Sequence, residues 1–392
     1  MNLRTISEAE NLKDRRVLVR VDFNVPIQNS QVTNDTRIRV SVPTIEFLQK
    51  AGAKIILLAH LGRPKGAPED ALRLDPVAGK LAEILQTPVK KLDDCIGSEV
   101  ENAIAEMQSG EIILLENTRF HDGEEKNTPE FVAQLMKLGD IFVDDAFGVA
   151  HRAHASNFGL AEKLPSFAGF SLTKEIESLS SVLTNPKKPL VVILGGAKID
   201  TKIGVLRKFV ELADTILLGG GLANTFLAAQ NFAVGASLCE TDKLETAREI
   251  LAAAEKSGCK IILPSDTLCA PDFESAPQIF PTDKIPDEQK ILDLGPDSIQ
   301  NFSAIIQSAG TVVWNGPVGL FENPKFGTGT KEIIAACEQT SADTILGGGD
   351  TLAALAQFDT PLAKFTHVST GGGAMLEFLE GQKMPALAIL EK

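Results

Sequence analysis

The feature that most constrains the fold is a series of short apolar segments that recur along the chain. Their hydrophobic residues, many of them β-branched, occupy consecutive rather than alternate positions. This pattern is typical of strands that are covered on both faces, as in a parallel sheet. Four segments lie in the first half of the chain and five in the second: 17–23, 54–60, 111–117 and 141–147, then 190–196, 215–221, 260–265, 311–316 and 343–349.

Segments with helical periodicity separate these strands. Thr128 and Pro129 form a helix start signal, an apolar face follows, and Gly139 ends it. The segment 243–257 has a second apolar face and is followed by Gly258. Because strands and helices alternate, we predict an α/β fold built from right-handed βαβ units.

The length of 392 residues is typical of two domains. Apolar residues at helical spacing between 171 and 184 precede the connector TNPKKP, which indicates a helix joining two lobes. We predict two Rossmann-like three-layer αβα domains with parallel sheets, joined by a helical hinge. The boundaries are 1–171 for the N-terminal domain, 172–188 for the hinge helix and connector, and 189–376 for the C-terminal domain. The alternative is an internal helix of one large sheet.

Charge and cysteine content exclude some classes of function. The 38 Lys and Arg residues against 52 Asp and Glu give a net charge of −14, which disfavours general binding to nucleic acid. None of the five cysteines forms a C-x-x-C pair, so we expect neither disulfides nor a structural zinc site. The chain starts without a secretory pattern and has no apolar run of about 20 residues. We therefore expect a cytoplasmic protein without a membrane partner.

Polar and charged residues follow the first-half strands. They are Asp22-Phe23-Asn24, His60-Leu61-Gly62-Arg63, Asn117-Thr118-Arg119 and Asp144-Asp145. In α/β sheets, ligands bind at the carboxyl ends of the strands.

Four arginines lie just past these strands or in polar loops: Arg37, Arg63, Arg119 and Arg152. The guanidinium fork suits phosphate and carboxylate oxygens, so we predict an anion site in which Asp22 and Asn24 bind a substrate hydroxyl. For any single arginine, the alternative is a surface ion pair. The pair His151 and His154 lacks a third metal ligand nearby in the sequence.

The second-half strands end instead in glycine clusters. The clusters are Gly195-Gly196, Gly219-Gly220-Gly221, Gly347-Gly348-Gly349 and Gly371-Gly372-Gly373. Glycine lets a ligand approach the main chain, and a following helix start favours an anion. We therefore predict a nucleotide or phosphate site, although a tight turn is the alternative for each cluster.

The common nucleotide motifs are absent: there is no P-loop, dinucleotide fingerprint or protein-kinase signature. Lys198 and Lys202 are one helical turn apart, so both ammonium groups can face the same phosphate. The alternative is two solvated lysines. Asp350 directly follows a glycine cluster and is a candidate Mg²⁺ ligand.

Taken together, these motifs resemble phosphoglycerate kinases along essentially the whole chain. The matching stretches are RVDFNVP (20–26), AHLGRP (59–64), LENTRFH (115–121), DDAFGVAHRAHAS (144–156), GGAKIDTKI (195–203), WNGPVGLFE (314–322), GGGDT (347–351) and STGGGA (369–374). Ala59 stands where the family often has serine, and Val149 where it often has threonine. Neither departure removes a ligand.

The resemblance implies reversible phosphoryl transfer between 1,3-bisphosphoglycerate and ADP, giving 3-phosphoglycerate and ATP in glycolysis and gluconeogenesis. The implied phosphoglycerate site comprises Asp22, Phe23, Asn24, Arg37, His60, Leu61, Gly62, Arg63, Arg119 and Arg152. The implied nucleotide site comprises Lys198, Lys202, Gly219, Gly220, Asn315, Pro317, Glu322, Gly348, Gly349, Asp350 and Thr351. Gly371, Gly372 and Gly373 are implied to face the transferring phosphate.

The resemblance also implies roles. Arg37 and Lys202 would stabilise the transferring phosphoryl group, and Asp350 would hold Mg²⁺. The family is hinge-bending and typically monomeric, and its C-terminal segment, here 377–392, packs back on the first domain. Three other functions stay open: a kinase for another carboxylate, a nucleotide-dependent dehydrogenase, and a two-lobed binding protein without chemistry.

Overall fold

The structure, a computed structural model, describes all residues from 1 to 392. The chain divides into two compact units. The first comprises Met1–Glu177 and Lys383–Lys392, and the second comprises Ser178–Gln382. No helix is both long enough and apolar enough to cross a membrane.

A six-stranded parallel sheet forms the centre of the first unit. Its strands, in spatial order, are Val89–Lys91, Ile112–Leu114, Lys54–Leu58, Arg16–Val21, Ile141–Asp145 and Ser166–Ala168. Alternate residues of the strand Arg16–Val21 pack into different apolar clusters: Val17 and Val19 lie in one, and Leu18 lies in the other. The sheet is therefore covered on both faces, as its continuous apolar segments predict.

Helices cover this sheet, and short elements complete the unit. The α-helices are Thr36–Lys50, Asp75–Leu85, Ser98–Ala105, Gly123–Lys126, Pro129–Met136 and Pro385–Leu390. The shorter elements are the hairpin Ile27–Gln28 with Gln31–Val32, the 3₁₀ turns Ile6–Glu8, Asp70–Leu72, Thr118–Phe120 and Phe147–Val149, and the π-helical turn Ala155–Gly159.

The second unit has its own six-stranded parallel sheet. The strands, in spatial order, are Lys260–Ile262, Thr215–Leu218, Leu190–Leu194, Thr311–Asn315, Asp343–Gly347 and His367–Ser369. The helices are Ile203–Leu212, Gly220–Ala229, Leu244–Ser257, Pro296–Gln307, Thr328–Gln339, Gly349–Gln357 and Gly373–Leu379. The two parallel sheets and their helices agree with the predicted fold class.

A small antiparallel sheet in the second unit does not follow from the sequence patterns. It consists of Gln278–Pro281, Asp266–Ala270 and Lys290–Leu294 in that spatial order. Gln278–Pro281 is mostly exposed, and Lys290–Leu294 is buried only at its end. Neither strand therefore has the continuous apolar run by which the buried strands were recognised.

The helix Phe170–Thr184 begins two residues before the predicted hinge segment. Its start is fixed by Asp145, whose carboxylate accepts hydrogen bonds from the backbone of Ser171 and Leu172 at 2.8 and 3.1 Å. The first compact unit extends into this helix as far as Glu177. The hinge role of the helix stays a prediction.

The C-terminal return is shorter than the predicted segment 377–392. Residues 377–382 belong to the second unit, and only Lys383–Lys392 belong to the first unit. The reason is that the helix Gly373–Leu379 packs on Ile203–Leu212, where Gly204 lies against Glu380.

Candidate functional site

In the first unit, hydrogen bonds gather the polar residues that follow three neighbouring strands. The Asn24 side-chain oxygen accepts from the backbone of Gly62 at 3.0 Å. The Asn117 amide donates to the carbonyl of Leu61 at 2.8 Å, and Arg119 donates to the carbonyl of Gly62 at 2.8 Å. The loop around Gly62 therefore brings the three strand ends into one group.

Asp22 orients Arg37 at this edge. Nη1 of Arg37 lies 3.1 Å from both carboxylate oxygens of Asp22 and 3.2 Å from the carbonyl oxygen of Asn24. Arg37 lies in the first turn of the helix Thr36–Lys50 and is partly exposed. The buried carboxylate thus fixes a guanidinium group that still reaches solvent.

Arg20 is a member of this group that sequence reasoning missed. It is buried within the strand Arg16–Val21, where it donates to Ser156 Oγ at 2.8 Å and lies 2.9 Å from His60 Nδ1. Because a guanidinium only donates, the Nδ1 atom of His60 accepts this bond. The sequence did contain one indication, because Arg20 is a charged residue inside an apolar run. A charged side chain that is buried in this way needs a hydrogen-bond partner.

Burial and neighbouring arginines lower the pKa values of three histidines in the first unit: His60, His151 and His154. Burial, followed by the charges of Arg20, Arg119 and Arg37, holds the pKa of His60 well below its ordinary value. Burial and the nearby arginines also lower the pKa of His151 to about 4 and that of His154 to about 3. These imidazoles are therefore neutral near pH 7, and the arginines carry the positive charge that would attract an anion.

The remaining predicted residues of the first unit differ in accessibility. Arg63 and Arg152 are exposed, and Arg152 Nε donates to His151 Nε2 at 3.0 Å. Phe23 and Leu61 are buried and belong to the apolar core. At these two positions, only the main chain is placed to meet a ligand.

The glycine-ended strands of the second unit surround a cavity of about 210 Å³. Its lining includes eight predicted site residues: Lys198, Lys202, Asn315, Gly348, Gly349, Asp350, Gly372 and Gly373. The other lining residues are Gly195, Gly196, Ala197, Thr201, Gly316 and Leu376. The strand-end glycines and the two lysines therefore face one common space.

Two of these glycines are not required by the fold. A Cβ atom at Gly349 or Gly373 would meet no protein atom within 4 Å, and neither residue has a positive φ. Each residue opens a helix, where an anion is favoured by the first backbone N–H groups. The missing side chains keep that space open for a ligand to reach the main chain.

Lys202 is the buried cation of this cavity. Its ammonium group donates to the side-chain oxygen of Asn315, while the Asn315 amide nitrogen is buried without a partner. Burial lowers the pKa of Lys202 to about 8, and the nearby Asp350 carboxylate opposes this shift. A phosphate oxygen in the cavity would satisfy both donors and favour the charged lysine.

A second cavity of about 260 Å³ adjoins the first and shares Gly196, Ala197 and Asp350 with it. The predicted residues Gly220, Pro317 and Glu322 line it, together with Gly221, Asn224, Leu238, Phe273, Ile291, Leu292, Gly319 and Leu320. Leu238 and Phe273 are 57% and 52% exposed, so this cavity presents grouped apolar surface to solvent. Sequence reasoning missed both, because their exposure is visible only in the folded chain.

Three predicted residues of the second unit line neither cavity: Gly219 and Thr351 of the nucleotide site, and Gly371 of the phosphate-facing group. A Cβ at Gly219 would lie 2.6 Å from the Val318 side chain. The Thr351 hydroxyl accepts a hydrogen bond from the backbone of Gly316 at 2.8 Å. The backbone of Gly371 donates to Ser369 Oγ at 3.1 Å.

Comparisons with known proteins agree over the whole length. The phosphoglycerate kinase family model matches residues 6–382. The phosphoglycerate kinase of Moorella thermoacetica is 48% identical over 98% of both chains, and that of Dictyoglomus turgidum is 49% identical over 97% of both. The structures of the phosphoglycerate kinases from Coxiella burnetii and Pyrococcus horikoshii each match with a TM-score of 0.88, at 39% and 32% identity, and each covers 99% of this chain and 98% of the other. The chain therefore belongs to the phosphoglycerate kinase family.

Proposed function

We propose that this chain catalyses reversible phosphoryl transfer from 1,3-bisphosphoglycerate to ADP, giving 3-phosphoglycerate and ATP. The observation that carries the proposal is the presence of two different anion sites in one chain. One is rich in arginine side chains, and the other consists of bare backbone and lysines beside an apolar cavity. Family membership supports the same reaction.

We assign phosphoglycerate to the first unit. Burial, with a further contribution from the arginines, keeps three histidines neutral, so the arginines supply the positive charge for the phosphate and carboxylate of the substrate. Arg37 is already oriented by Asp22, and Arg119 by the Gly62 carbonyl. Asp22 and Asn24 supply the oxygens that a substrate hydroxyl can bond.

We assign the nucleotide to the second unit. The phosphates would occupy the cavity at Lys198, Lys202, Gly349 and Gly373, where backbone donors and ammonium groups face the same space. The base would occupy the adjoining apolar cavity, where Leu238 and Phe273 would lose water-exposed area on binding. Because the two cavities share residues, one elongated ligand can fill both.

We assign Mg²⁺ to Asp350. Its carboxylate is exposed, lines both cavities, and lies in the first turn of the helix Gly349–Gln357. Magnesium is typically held by one or two carboxylates together with substrate phosphates and water, and this donor set fits. When bound, the ion would supply charge neutralisation to the nucleotide phosphates.

The reaction needs no general base, since the attacking phosphate or carboxylate oxygen is already ionised near neutral pH. The protein must instead place two repelling anions in line and offset their charge. We assign this charge stabilisation to Arg37 and Lys202. Because one ligand is assigned to each unit, turnover requires the units to bring the ligands together and exclude water.

We further propose that the enzyme acts as a cytoplasmic monomer on small molecules. Its net charge of −14 supports the absence of a nucleic-acid partner. Light scattering on the purified chain measures the oligomeric state, and a mass of twice 41.9 kDa would contradict the monomer.

The deciding experiment supplies ATP, Mg²⁺ and 3-phosphoglycerate and couples product to glyceraldehyde-3-phosphate dehydrogenase with NADH. We expect NADH oxidation that requires all three components. Formation of ADP with glycerate or acetate in place of 3-phosphoglycerate, measured without this coupling, would indicate a kinase for another carboxylate, and NADH oxidation without the coupling enzyme would indicate a dehydrogenase. Calorimetric binding of both substrates without any turnover would show a binding protein and overturn the proposal.

A further inference from the structure

Three side chains of metal-binding type come together in the first unit, outside the cavities described above. Asp94 and Cys95 follow the strand Val89–Lys91, and His121 follows the turn that carries Arg119. The carboxylate oxygen, the sulfur and the imidazole nitrogen all lie within 4.8 Å of one another. His121 is far from the other two along the sequence, so the folded chain alone brings this group together.

The geometry of the group is close to that of a metal site. Zn–N and Zn–S bonds of about 2.1 and 2.3 Å place the ligand atoms of a tetrahedral zinc ion about 3.5 Å apart. His121 Nε2 already lies 2.6 Å from Asp94 Oδ1. The imidazole ring is stacked on Phe131, with a centroid distance of 5.2 Å and an interplanar angle of 28°. Only small side-chain shifts are therefore needed to admit an ion.

Access and charge also suit a cation. Cys95 is buried, whereas the side chains of His121 and Asp94 are 29% and 52% exposed, so the group has an open side towards solvent. Asp94, Glu116 and Glu124 all lie within electrostatic reach of the Cys95 sulfur. Because Glu116 is already paired with Lys91 and Arg73, the Asp94 carboxylate is the main attraction for a divalent ion that enters from the exposed side.

We propose that Asp94, Cys95 and His121 bind a zinc ion, with water completing the coordination. Binding releases the Cys95 proton to solvent and replaces the hydrogen bond between His121 and Asp94 with two metal–ligand bonds. Thiolate and imidazole ligands select zinc over magnesium or calcium. The ion would link two loops of the first unit and would be separate from the Mg²⁺ assigned to Asp350.

The simpler interpretation is an ion pair between Asp94 and His121 beside a structural cysteine. The two interpretations differ in one measurable respect, because an ion pair with a neutral thiol holds no metal. The test therefore titrates the chelator-treated full chain with Zn²⁺ against a chromophoric competitor. Co²⁺ serves as a spectroscopic probe of thiolate ligation.

We expect one equivalent of Zn²⁺ to bind and the Co²⁺ complex to show a thiolate charge-transfer band. Cys95→Ser and His121→Gln should each weaken Zn²⁺ binding about tenfold or more, consistent with the loss of one of three protein ligands. Cys239→Ser is the matched control, because it removes a half-buried thiol of the second unit. It should leave the affinity unchanged.

Two results would overturn the proposal: no stoichiometric Zn²⁺ binding, or binding that survives both substitutions. If Cys95→Ser does not fold, the proposal is tested by Zn²⁺ binding to His121→Gln and by the Co²⁺ spectrum of the Cys239→Ser chain. A spectrum without a thiolate band then excludes Cys95 as a ligand. The thermal unfolding of each metal-free variant is measured first, so that lost structure is not mistaken for a lost ligand.

Discussion

At the scale of single residues, the buried cations of the two units differ in how many hydrogen-bond partners the protein provides. Arg20 is buried and held by Ser156 and His60, whereas Lys202 is buried with a single polar partner, Asn315. Arg20 therefore has its hydrogen bonds inside the protein. Lys202 has unused donor capacity, which favours a ligand in its cavity.

The substitution Arg63→Ala tests the assignment of the anion site. Arg63 is exposed and makes no hydrogen bond or ion pair within the protein, so its loss should not change the thermal transition. A charge-assisted contact is worth about 1.5–3 kcal/mol, so the KM for 3-phosphoglycerate should rise roughly 10- to 100-fold. The KM for ATP, the co-substrate of 3-phosphoglycerate, should stay constant. Steady-state kinetics with each substrate varied in turn checks this, and an equal loss for both substrates would contradict the separation of the two sites.

Lys202→Ala should act on turnover rather than on binding. If the ammonium group stabilises the transferring phosphoryl group, kcat should fall about 100- to 1000-fold while both KM values change little. Lys198→Ala, at the exposed lysine of the same cavity, is the matched comparison and should act mainly on the KM for the nucleotide. Unchanged turnover in Lys202→Ala would remove this residue from the mechanism.

The same lysine predicts a pH dependence. Burial lowers the pKa of Lys202 to about 8, so the amine is protonated below that pH and loses its charge as the pH rises through it. The nucleotide kcat/KM of the free enzyme should therefore decline above about pH 8. Lys202→Arg keeps the charge at these pH values and should remove the decline. A decline that persists in Lys202→Arg would assign it to another group.

Many residues of the candidate site could be predicted from residue type, but the contacts that these residues make in the folded chain could not. The strand-end arginines and glycines are visible in the sequence because they interrupt apolar runs. Leu238 and Phe273 look like ordinary core residues until the fold leaves them exposed. His121 and Cys95 belong to no common sequence motif, because they lie on two loops that come together only in the folded chain.

At the scale of secondary structure, strands with a continuous apolar run were predictable, including the short edge strand Lys260–Ile262, and strands without such a run were not. All nine continuous apolar segments contain a strand of one of the parallel sheets. Three further strands of only three residues each complete those sheets: Val89–Lys91, Ser166–Ala168 and His367–Ser369. Each lies at an edge of its sheet, and their sequences VKK, SFA and HVS mix polar with apolar residues, so no continuous apolar run marks them.

Helix starts give a prediction at this scale. Gly349 and Gly373 each open a helix and face empty space, so Gly349→Ala and Gly373→Ala should not destabilise the chain. The added methyl group should nevertheless obstruct the phosphates and raise the KM for ADP about tenfold, which is about 1.4 kcal/mol. Thermal unfolding and nucleotide kinetics measure the two effects separately.

The matched control is Gly79→Ala. Gly79 lies exposed inside the helix Asp75–Leu85, and its Cβ would also meet nothing within 4 Å. Alanine should stabilise this helix by roughly 0.5–1 kcal/mol without changing either KM. If Gly373→Ala behaves like Gly79→Ala in the kinetic measurements, the phosphates do not approach the backbone there.

At the scale of the whole molecule, the first unit contains chain from both ends of the sequence. The backbone of Arg4 donates to Leu390 at 2.9 Å, and that of Lys392 donates to Asn2 at 2.9 Å. Leu387 and Leu390 are fully buried. The first unit is therefore discontinuous in sequence, whereas the second is a single stretch, and the two should respond differently to a loss of the C-terminal residues.

Deletion of residues 383–392 should destabilise the first unit and spare the second. Each lost buried leucine costs roughly 2–5 kcal/mol, which is large against a typical domain stability of about 5–15 kcal/mol. Scanning calorimetry of the truncated chain should show that ADP still raises a thermal transition while 3-phosphoglycerate no longer does. Lys383→Ala, at an exposed position of the same segment, is the control and should leave both responses intact. If both ligands lose their effect together in the truncated chain, the second unit does not fold or bind independently of the first.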